Sequence, residues 1–461
     1  MKMFGTNGIR GIANDSLDCE LALHIGRCVG HVLGRRIAVA VDPRVSSDMI
    51  RSALAAGLMS VGADVLDLGM VPTPALQNYI RSRPEVTGGV MITASHNPPE
   101  FNGIKCISGD GTECSPEEEH AIEELYERGP GCVGWQDVGR IFRVSGADNE
   151  YIDSIVSKVD AEAIRAAGIT VCVDCANGAS CHTTPELMRR LGVRAITLNG
   201  DPQGEFPGHP SEPTEDNLES LKRMVVDTGA DLGIAHDGDA DRCVFVTRDG
   251  RYVSGDVSLA LLSGYILRRN GGGKVVVTVA TSAIVEDVAG SAGGTVEYTA
   301  VGSPIVARAM RTGGGIFGGE ENGGLIFADH QYCRDGAMGA AMMLECVARN
   351  GPLGDQIETL PRYRTVKAAI ACPDHLKGDL IRAVSSAHSG ERCNLTDGLR
   401  IDYDDGWVLM RPSGTEPKFR IYSESKDPFV AERRSAEFVS EAEGILGRLS
   451  RSCETASPSS A

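Results

Sequence analysis

The sequence predicts an α/β fold: three related α/β domains with mixed sheets, followed by a smaller C-terminal α+β domain. Three observations carry this. A βαβ-like pattern recurs three times along the chain. After about Arg364 that pattern gives way to short strands around a tight turn. The length of 461 residues is about three times a typical ~150-residue domain, before the smaller unit is counted.

The first repeat runs from Arg36 to Gly69, the second from Ile169 to Asn199 and the third from Lys274 to Gly302. Each is a β-branched run, a polar loop, a helical stretch, a Gly-centred turn and a second apolar run. That order reads as a strand, a crossover helix and a parallel strand. A spacing of over 100 residues between repeats is too long for a solenoid. In the fourth unit, Thr365 to Ala371 reads as a strand and Asp374 to Ala387 as a helix. Leu399–Tyr403 and Trp407–Met410 flank Asp404-Asp405-Gly406, and Asp-Gly between alternating apolar runs predicts a hairpin. Phe419 to Ser423 is a third strand, and Pro428 to Leu449 a closing helix with Pro in its first turn. These readings give domains at 1–148, 149–250, 251–363 and 364–450, with a Ser-rich disordered tail at 451–461. The proposed junctions are Val144 to Tyr151, the turn Asp249-Gly250-Arg251, and a hinge at Pro361 to Arg364.

Composition excludes several function classes. A net charge of −18 disfavours binding to nucleic acid or to anionic membrane. Aromatic residues at 5% are too few for a base-stacking platform. A hydrophobic share of 42% rules out global disorder. The 56 glycines lie between apolar segments, as expected for many tight loops. No run of ~18 apolar residues predicts a membrane span, and Met1 to Arg10 lack a signal pattern, so a cytoplasmic location is expected. The fourteen cysteines then read as reduced thiols. Cys172, Cys175, Cys181 and His182 lack a second Cys pair at finger-like spacing, so Val171-Cys172-Val173 is read as a strand rather than part of a zinc site.

Four loops carry chemistry. Asp237-Gly238-Asp239-Ala240-Asp241-Arg242 lies between two apolar strands, Ala230–Ala235 and Cys243–Val246. Three carboxylates at alternate positions repel one another and call for a cation, and hard oxygen ligands suit Mg²⁺ or Ca²⁺. An EF-hand is excluded, because Arg242 and Arg248 stand where Gly and Glu are required. An aspartyl-phosphate phosphatase using Asp237 is the rival enzyme class, and a non-catalytic Ca²⁺-binding scaffold the rival outside enzymes. The second loop, Thr93-Ala94-Ser95-His96-Asn97-Pro98-Pro99, follows the strand Val90–Ile92 and holds one hydroxyl. Adjacent Ser95 and His96 lack a Gly-x-Ser-x-Gly elbow, so the loop reads equally as structural or catalytic. In Gly318-Gly319-Glu320-Glu321-Asn322-Gly323-Gly324, Glu320 and Asn322 either contact sugar hydroxyls or sit in a bulged hairpin. The fourth loop, Arg411 to Arg420, combines two arginines, the hydroxyls of Ser413 and Thr415, and free amides around Gly414 as a phosphate cradle distinct from a Walker loop.

These loops together, with Phe4-Gly5-Thr6-Asn7-Gly8-Ile9-Arg10-Gly11 at the start, resemble the α-D-phosphohexomutase family from Phe4 to Arg420. The opening motif and Val173–Gly178 most resemble members acting on glucosamine phosphates, in an archaeal-looking variant. The resemblance implies four domains around a central cleft, each giving one loop. It implies a phosphoserine at Ser95, and Mg²⁺ held by Asp237, Asp239, Asp241 and a phosphate oxygen on Ser95. The implied reaction interconverts hexosamine 6- and 1-phosphates through a bisphosphorylated hexose, with hexose 1,6-bisphosphate as activator. By the same resemblance, Arg10 and Lys105 assist proton transfer beside Ser95, and His96 positions Ser95 or the substrate. Arg242 sits near metal and phosphate, and Glu320 and Asn322 read sugar hydroxyls. Arg411, Ser413, Gly414, Thr415 and Arg420 grip the non-reacting phosphate. The implied partner is a phosphorylated hexose or hexosamine, and a homodimer is compatible with the family. Two departures are visible: many members have Ser where Asn322 stands, and Val301-Gly302-Ser303-Pro304 lacks the His of members acting on mannose and glucose phosphates. Those members are the alternative reading.

Overall fold

The computed structural model describes residues 3–5, 7–414 and 416–456. Thr415, assigned above to the phosphate cradle, lies outside the described residues, as do residues 457–461 of the tail. Among the described residues the chain forms four sheets, three of them mixed and the last antiparallel.

Each predicted repeat is a parallel pair joined by a helix. Arg36–Val41, the helix Ser47–Ser60 and Asp64–Met70 form the first. Thr170–Asp174, Thr183–Leu191 and Arg194–Leu198 form the second. Gly273–Thr278, Ile284–Ser291 and Gly294–Thr299 form the third. The β-branched strands are buried because helices cover the sheet faces, which is why they read as continuous apolar runs.

Antiparallel strands then carry the loops. In the first sheet Gly88–Ile92 pairs with Phe101–Ser108, and the latter with Ile9–Ile12. In the second, Leu232–His236 pairs with Cys243–Thr247. In the third, Phe317–Glu320 pairs with Gly324–Phe327. The fourth sheet orders Arg364–Ala371, Lys418–Ser425, Gly406–Pro412, Leu399–Tyr403 and Cys393–Asn394.

Two details differ from the sequence reading. The turn Asp249-Gly250-Arg251 is a hairpin inside the second sheet, because Tyr252–Val253 pairs back onto Cys243–Thr247. The closing helix continues to Ala456, past Leu449.

Apolar packing ties the domains together. One core runs through the second and third domains and into the first, whereas the fourth has a core of its own. A small cluster of Val279, Ala280, Trp407 and Leu409 joins the third domain to the fourth. At that seam the buried Arg400 guanidinium lies 4.5 Å from the Tyr298 ring centroid and 4.8 Å from that of Trp407. It also donates to the carbonyls of Val279 (2.8 Å) and Thr281 (3.4 Å). Among the described residues, no helix is long and apolar enough to cross a membrane.

Candidate active site

His236 stands opposite Cys243 in an antiparallel pair, so Asp237–Arg242 is the loop that closes the hairpin. Both strands are buried throughout, which carries the loop into the interior. Asp237, Asp239 and Asp241 each offer one oxygen, and these atoms lie within 4.8 Å of one another.

Three cations hold the carboxylates, Lys105 and Arg334 from other domains and Arg242 from the loop itself. Lys105 Nζ donates to Asp239 Oδ2 at 2.6 Å and to Asp241 Oδ2 at 3.3 Å. Thr73 Oγ1 also donates to Asp239 Oδ2, at 2.6 Å. Arg334 Nη2 donates to Asp241 Oδ2 at 2.6 Å, and Arg242 Nε to Asp237 Oδ2 at 3.0 Å. Burial pushes all three carboxyls up. The Lys105 charge overrides burial at Asp239, and the Arg334 charge overrides it at Asp241, so both fall below their ordinary value. At Asp237 burial outweighs Arg242, and its pKa rises to about 7.

One oxygen each of Asp239 and Asp241, Oδ1, is buried without a hydrogen-bond partner. Orphaned carboxylate oxygens in a cluster of this spacing fit a hard divalent cation.

Ser95 stands on the loop after Gly88–Ile92, 1% exposed, at φ 53°. Its Oγ donates to Asp237 Oδ2 at 2.9 Å and lies 3.3 Å from His96 Nδ1. A Cβ on Gly238 would come 2.5 Å from the Ser95 carbonyl oxygen, so the two loops touch only because that residue is glycine. His96 Nε2 lies 3.6 Å from Glu212 Oε2. Burial, then the Arg242 charge, lowers the His96 pKa to about 4, which leaves the ring neutral at pH 7.

Above Ser95 is a cavity of about 560 Å³ lined by Arg10, Ser95, His96, Arg242, Glu320, Asn322 and Arg420. These are predicted site residues from all four sheets or the loops between their strands. Arg10 Nη1 donates to Asn97 Oδ1 at 2.6 Å. Glu320 ends its strand, and its carboxylate accepts from Gly302 N at 3.1 Å and from Arg334 Nη1 at 3.3 Å. Glu320 and Asn322 stand at a tight hairpin whose turn uses Gly323 at φ 88°. Lys105 and the three aspartates lie behind the lining, bonded to Ser95, Arg242 and Arg334.

Arg411, Ser413 and Gly414 stand beside the cavity rather than in its lining. Arg411 is opposite Arg420 in the strand pair. Lys377 Nζ donates to the carbonyls of Ser413 (2.7 Å) and Glu416 (2.5 Å), fixing the loop from beneath.

Sequence reasoning missed Thr73, Arg334, Glu212 and Lys377. Each is a lone polar residue whose partner is distant along the chain. The one available signal was Arg334 immediately before Asp335, which caps the helix Gly336–Asn350.

Four models of the phosphoglucomutase/phosphomannomutase family match the chain: alpha/beta/alpha domain I at 1–130, domain II at 149–250, domain III at 254–363 and the C-terminal domain at 368–441. The chain is 43% identical over 442 residues to a probable phosphoglucosamine mutase of Methanopyrus kandleri, covering 95% of this chain and 97% of that one. It is 42% identical over 451 residues to a phosphoglucomutase/phosphomannomutase of Thermococcus kodakarensis, with the same coverage. A crystal structure of a phosphoglucomutase/phosphomannomutase family protein from Burkholderia thailandensis superposes with a TM-score of 0.86 at 27% identity, covering 96% and 97% of the two chains.

Proposed function

This chain belongs to the phosphoglucomutase/phosphomannomutase family and is an isomerase-type phosphotransferase, and from that premise we propose that it interconverts glucosamine 6-phosphate and glucosamine 1-phosphate. One observation carries the reading: Ser95 Oγ lies 2.9 Å from an aspartate of the acidic triad, at a cavity lined by residues of all four sheets or the loops between their strands.

In this reading Ser95 Oγ is the phosphoryl carrier. Its group passes to the free hydroxyl of a hexose monophosphate, giving a bisphosphate. That molecule turns over in the cavity, and its other phosphoryl group returns to Ser95. Two hydroxyls exchange one phosphoryl group each way, so water takes no part. A cavity of about 560 Å³ falls within the usual ~300–1,000 Å³ of ligand pockets.

Asp237, Asp239 and Asp241 would hold Mg²⁺, which supplies charge neutralisation and fixed geometry at the transferring group. Lys105 keeps Asp239 and Asp241 ionised and in place. Arg242 holds Asp237 and presents its far side to the cavity; its Nη2 is buried without a hydrogen-bond partner. Neutral His96 orients the Ser95 hydroxyl through Nδ1. Arg10 faces the same space. Glu320 and Asn322 meet the sugar hydroxyls, while Arg420, with Arg411 beside it, meets the phosphate that is not reacting.

The glucosamine reading draws on relatives named probable phosphoglucosamine mutase. The Thermococcus kodakarensis relative favours a second one, in which glucose and mannose phosphates are the substrates of the same machinery. Equal concentrations of glucosamine 6-phosphate, glucose 1-phosphate and mannose 1-phosphate, assayed with Mg²⁺ and a trace of hexose 1,6-bisphosphate, separate the two. The Ser95→Ala variant should fold and lose turnover by at least ~10³-fold. Full mutase activity in that variant would sink the mechanism.

A further inference from the structure

We propose that Arg44 is the positioning residue that fixes the backbone of Ser95 for phosphoryl transfer, with Phe206 of the second domain sealing it in place. The proposal rests on the reading of Ser95 as phosphoryl carrier.

Arg44 is 2% exposed, and every N–H direction of its guanidinium is used. Nε donates to Asp42 Oδ2 at 3.0 Å. Nη1 donates to the carbonyls of Pro98 (2.6 Å) and Phe101 (2.8 Å). Nη2 donates to the carbonyls of Ser95 (2.8 Å) and Asn97 (2.6 Å). One side chain therefore gathers four carbonyls of the Ser95 loop to a single point. Asp42 completes the grip from the other side: its Oδ2 accepts from Thr93 Oγ1 at 2.6 Å, and that hydroxyl accepts from Ser95 N at 2.8 Å. Both the N–H and the C=O of Ser95 are thus tied to the Asp42–Arg44 pair.

Ser95 needs this tie. Its φ of 53° lies in the left-handed region, which a serine leaves readily when nothing holds it. A change of φ there would swing Oγ away from Asp237. Only a planar fork with five donors fits the arrangement, and lysine offers three.

The seal comes from a different domain. Phe206 is buried at φ 50°, and the Arg44 guanidinium carbon stands 4.9 Å from its ring centroid. The same loop brings Gly204 against Pro43 and Val45, where a Cβ would come within 2.5 Å of backbone. Closing the second domain on the first therefore covers Arg44 with an aromatic face and shields its hydrogen bonds from water.

The test uses full-length Arg44→Lys and Phe206→Leu with Mg²⁺. Readouts are steady-state kinetics and mass-spectrometric labelling of Ser95 by hexose 1,6-bisphosphate. A small displacement of a reacting group costs about 10²-fold in rate. Arg44→Lys should lower kcat by about tenfold or more, leave KM within about threefold, and slow Ser95 labelling by the same factor as kcat. Phe206→Leu should move kcat in the same direction by less. A folded Arg44→Lys with kcat and labelling within about twofold of wild type overturns the proposal, as does a change confined to KM. Should Arg44→Lys fail to fold, Phe206→Leu decides, and an unchanged kcat there overturns it. Absence of labelling in the wild type would overturn the Ser95 reading itself, and the proposal with it.

Discussion

Arg411 and Arg420 stand directly opposite each other on the antiparallel strands Gly406–Pro412 and Lys418–Ser425. Like charges at opposed positions destabilise a sheet unless something offsets them. Asp397 Oδ2 lies 2.9 Å from Arg411 Nη2, and Glu416 Oε2 lies 3.2 Å from Arg420 Nη2. Arg411 Nε remains buried without a hydrogen-bond partner. The pair therefore keeps donor capacity for an anion.

Arg420→Ala should raise KM by about 10- to 100-fold, the worth of one or two charged hydrogen bonds, with kcat within about threefold. The melting temperature should hold or rise, because a like-charge neighbour is removed. Steady-state kinetics and a thermal melt check both. A fall in kcat with KM unchanged would place Arg420 on the transferring group instead.

Removing divalent cations with a chelator should abolish turnover and lower the melting temperature. The three carboxyls then stay clustered with the buried Oδ1 atoms of Asp239 and Asp241 unmatched. A ligand at 100 times its Kd stabilises by about 2.7 kcal/mol, so the melt should recover as Mg²⁺ is titrated back. A melting curve indifferent to both additions would remove the cation from the site.

Arg400→Ala should destabilise the protein by about 2–4 kcal/mol. The change strips the carbonyls of Val279 and Thr281 of a donor and empties the space between Tyr298 and Trp407. Because the lost contacts lie at the seam between the third and fourth domains, cleavage near Pro361–Arg364 should speed up in limited proteolysis. Denaturant melts and digestion time courses report the two effects.

His388 gives a pH-dependent term in the fourth domain. Burial lowers its pKa, but hydrogen bonds to Glu391 (2.6 Å) and Glu441 (3.0 Å) override this, and the net shift is upward. A raised folded-state pKa means stability that is fully present below the unfolded value of ~6.5 and is lost as pH rises through the folded value. Wild type should exceed His388→Gln in melting temperature by more at pH 5.5 than at pH 8.5. Equal gaps at the two pH values would contradict the assignment.

Much of this architecture was legible where signals are local. The three parallel repeats follow from runs that are apolar on both faces. The helix Asp374–Ala387 and the strand Leu399–Tyr403 fall where periodicity and the Asp-Gly turn put them. The acidic hairpin was legible because its carboxylates alternate between two buried strands. Arg44 and Arg334 were not, since their partners are set by tertiary packing: Arg334 meets Asp241 across 93 positions. Tyr252–Val253 is too short to show a period, so its pairing with Cys243–Thr247 was not legible.

The pairing of Lys105 with Asp239 has a consequence for synthesis. The two are 134 positions apart, and Thr73, which binds the same carboxylate, is 166 positions away. At ribosomal speeds of ~5–20 residues per second, Lys105 waits about 7 to 27 s for its counter-ion to be made. Throughout that interval the Lys105 ammonium lacks the carboxylate it meets at 2.6 Å in the complete chain. The newborn chain therefore carries a buried-to-be ammonium whose two carboxylate partners, Asp239 and Asp241, have yet to be made.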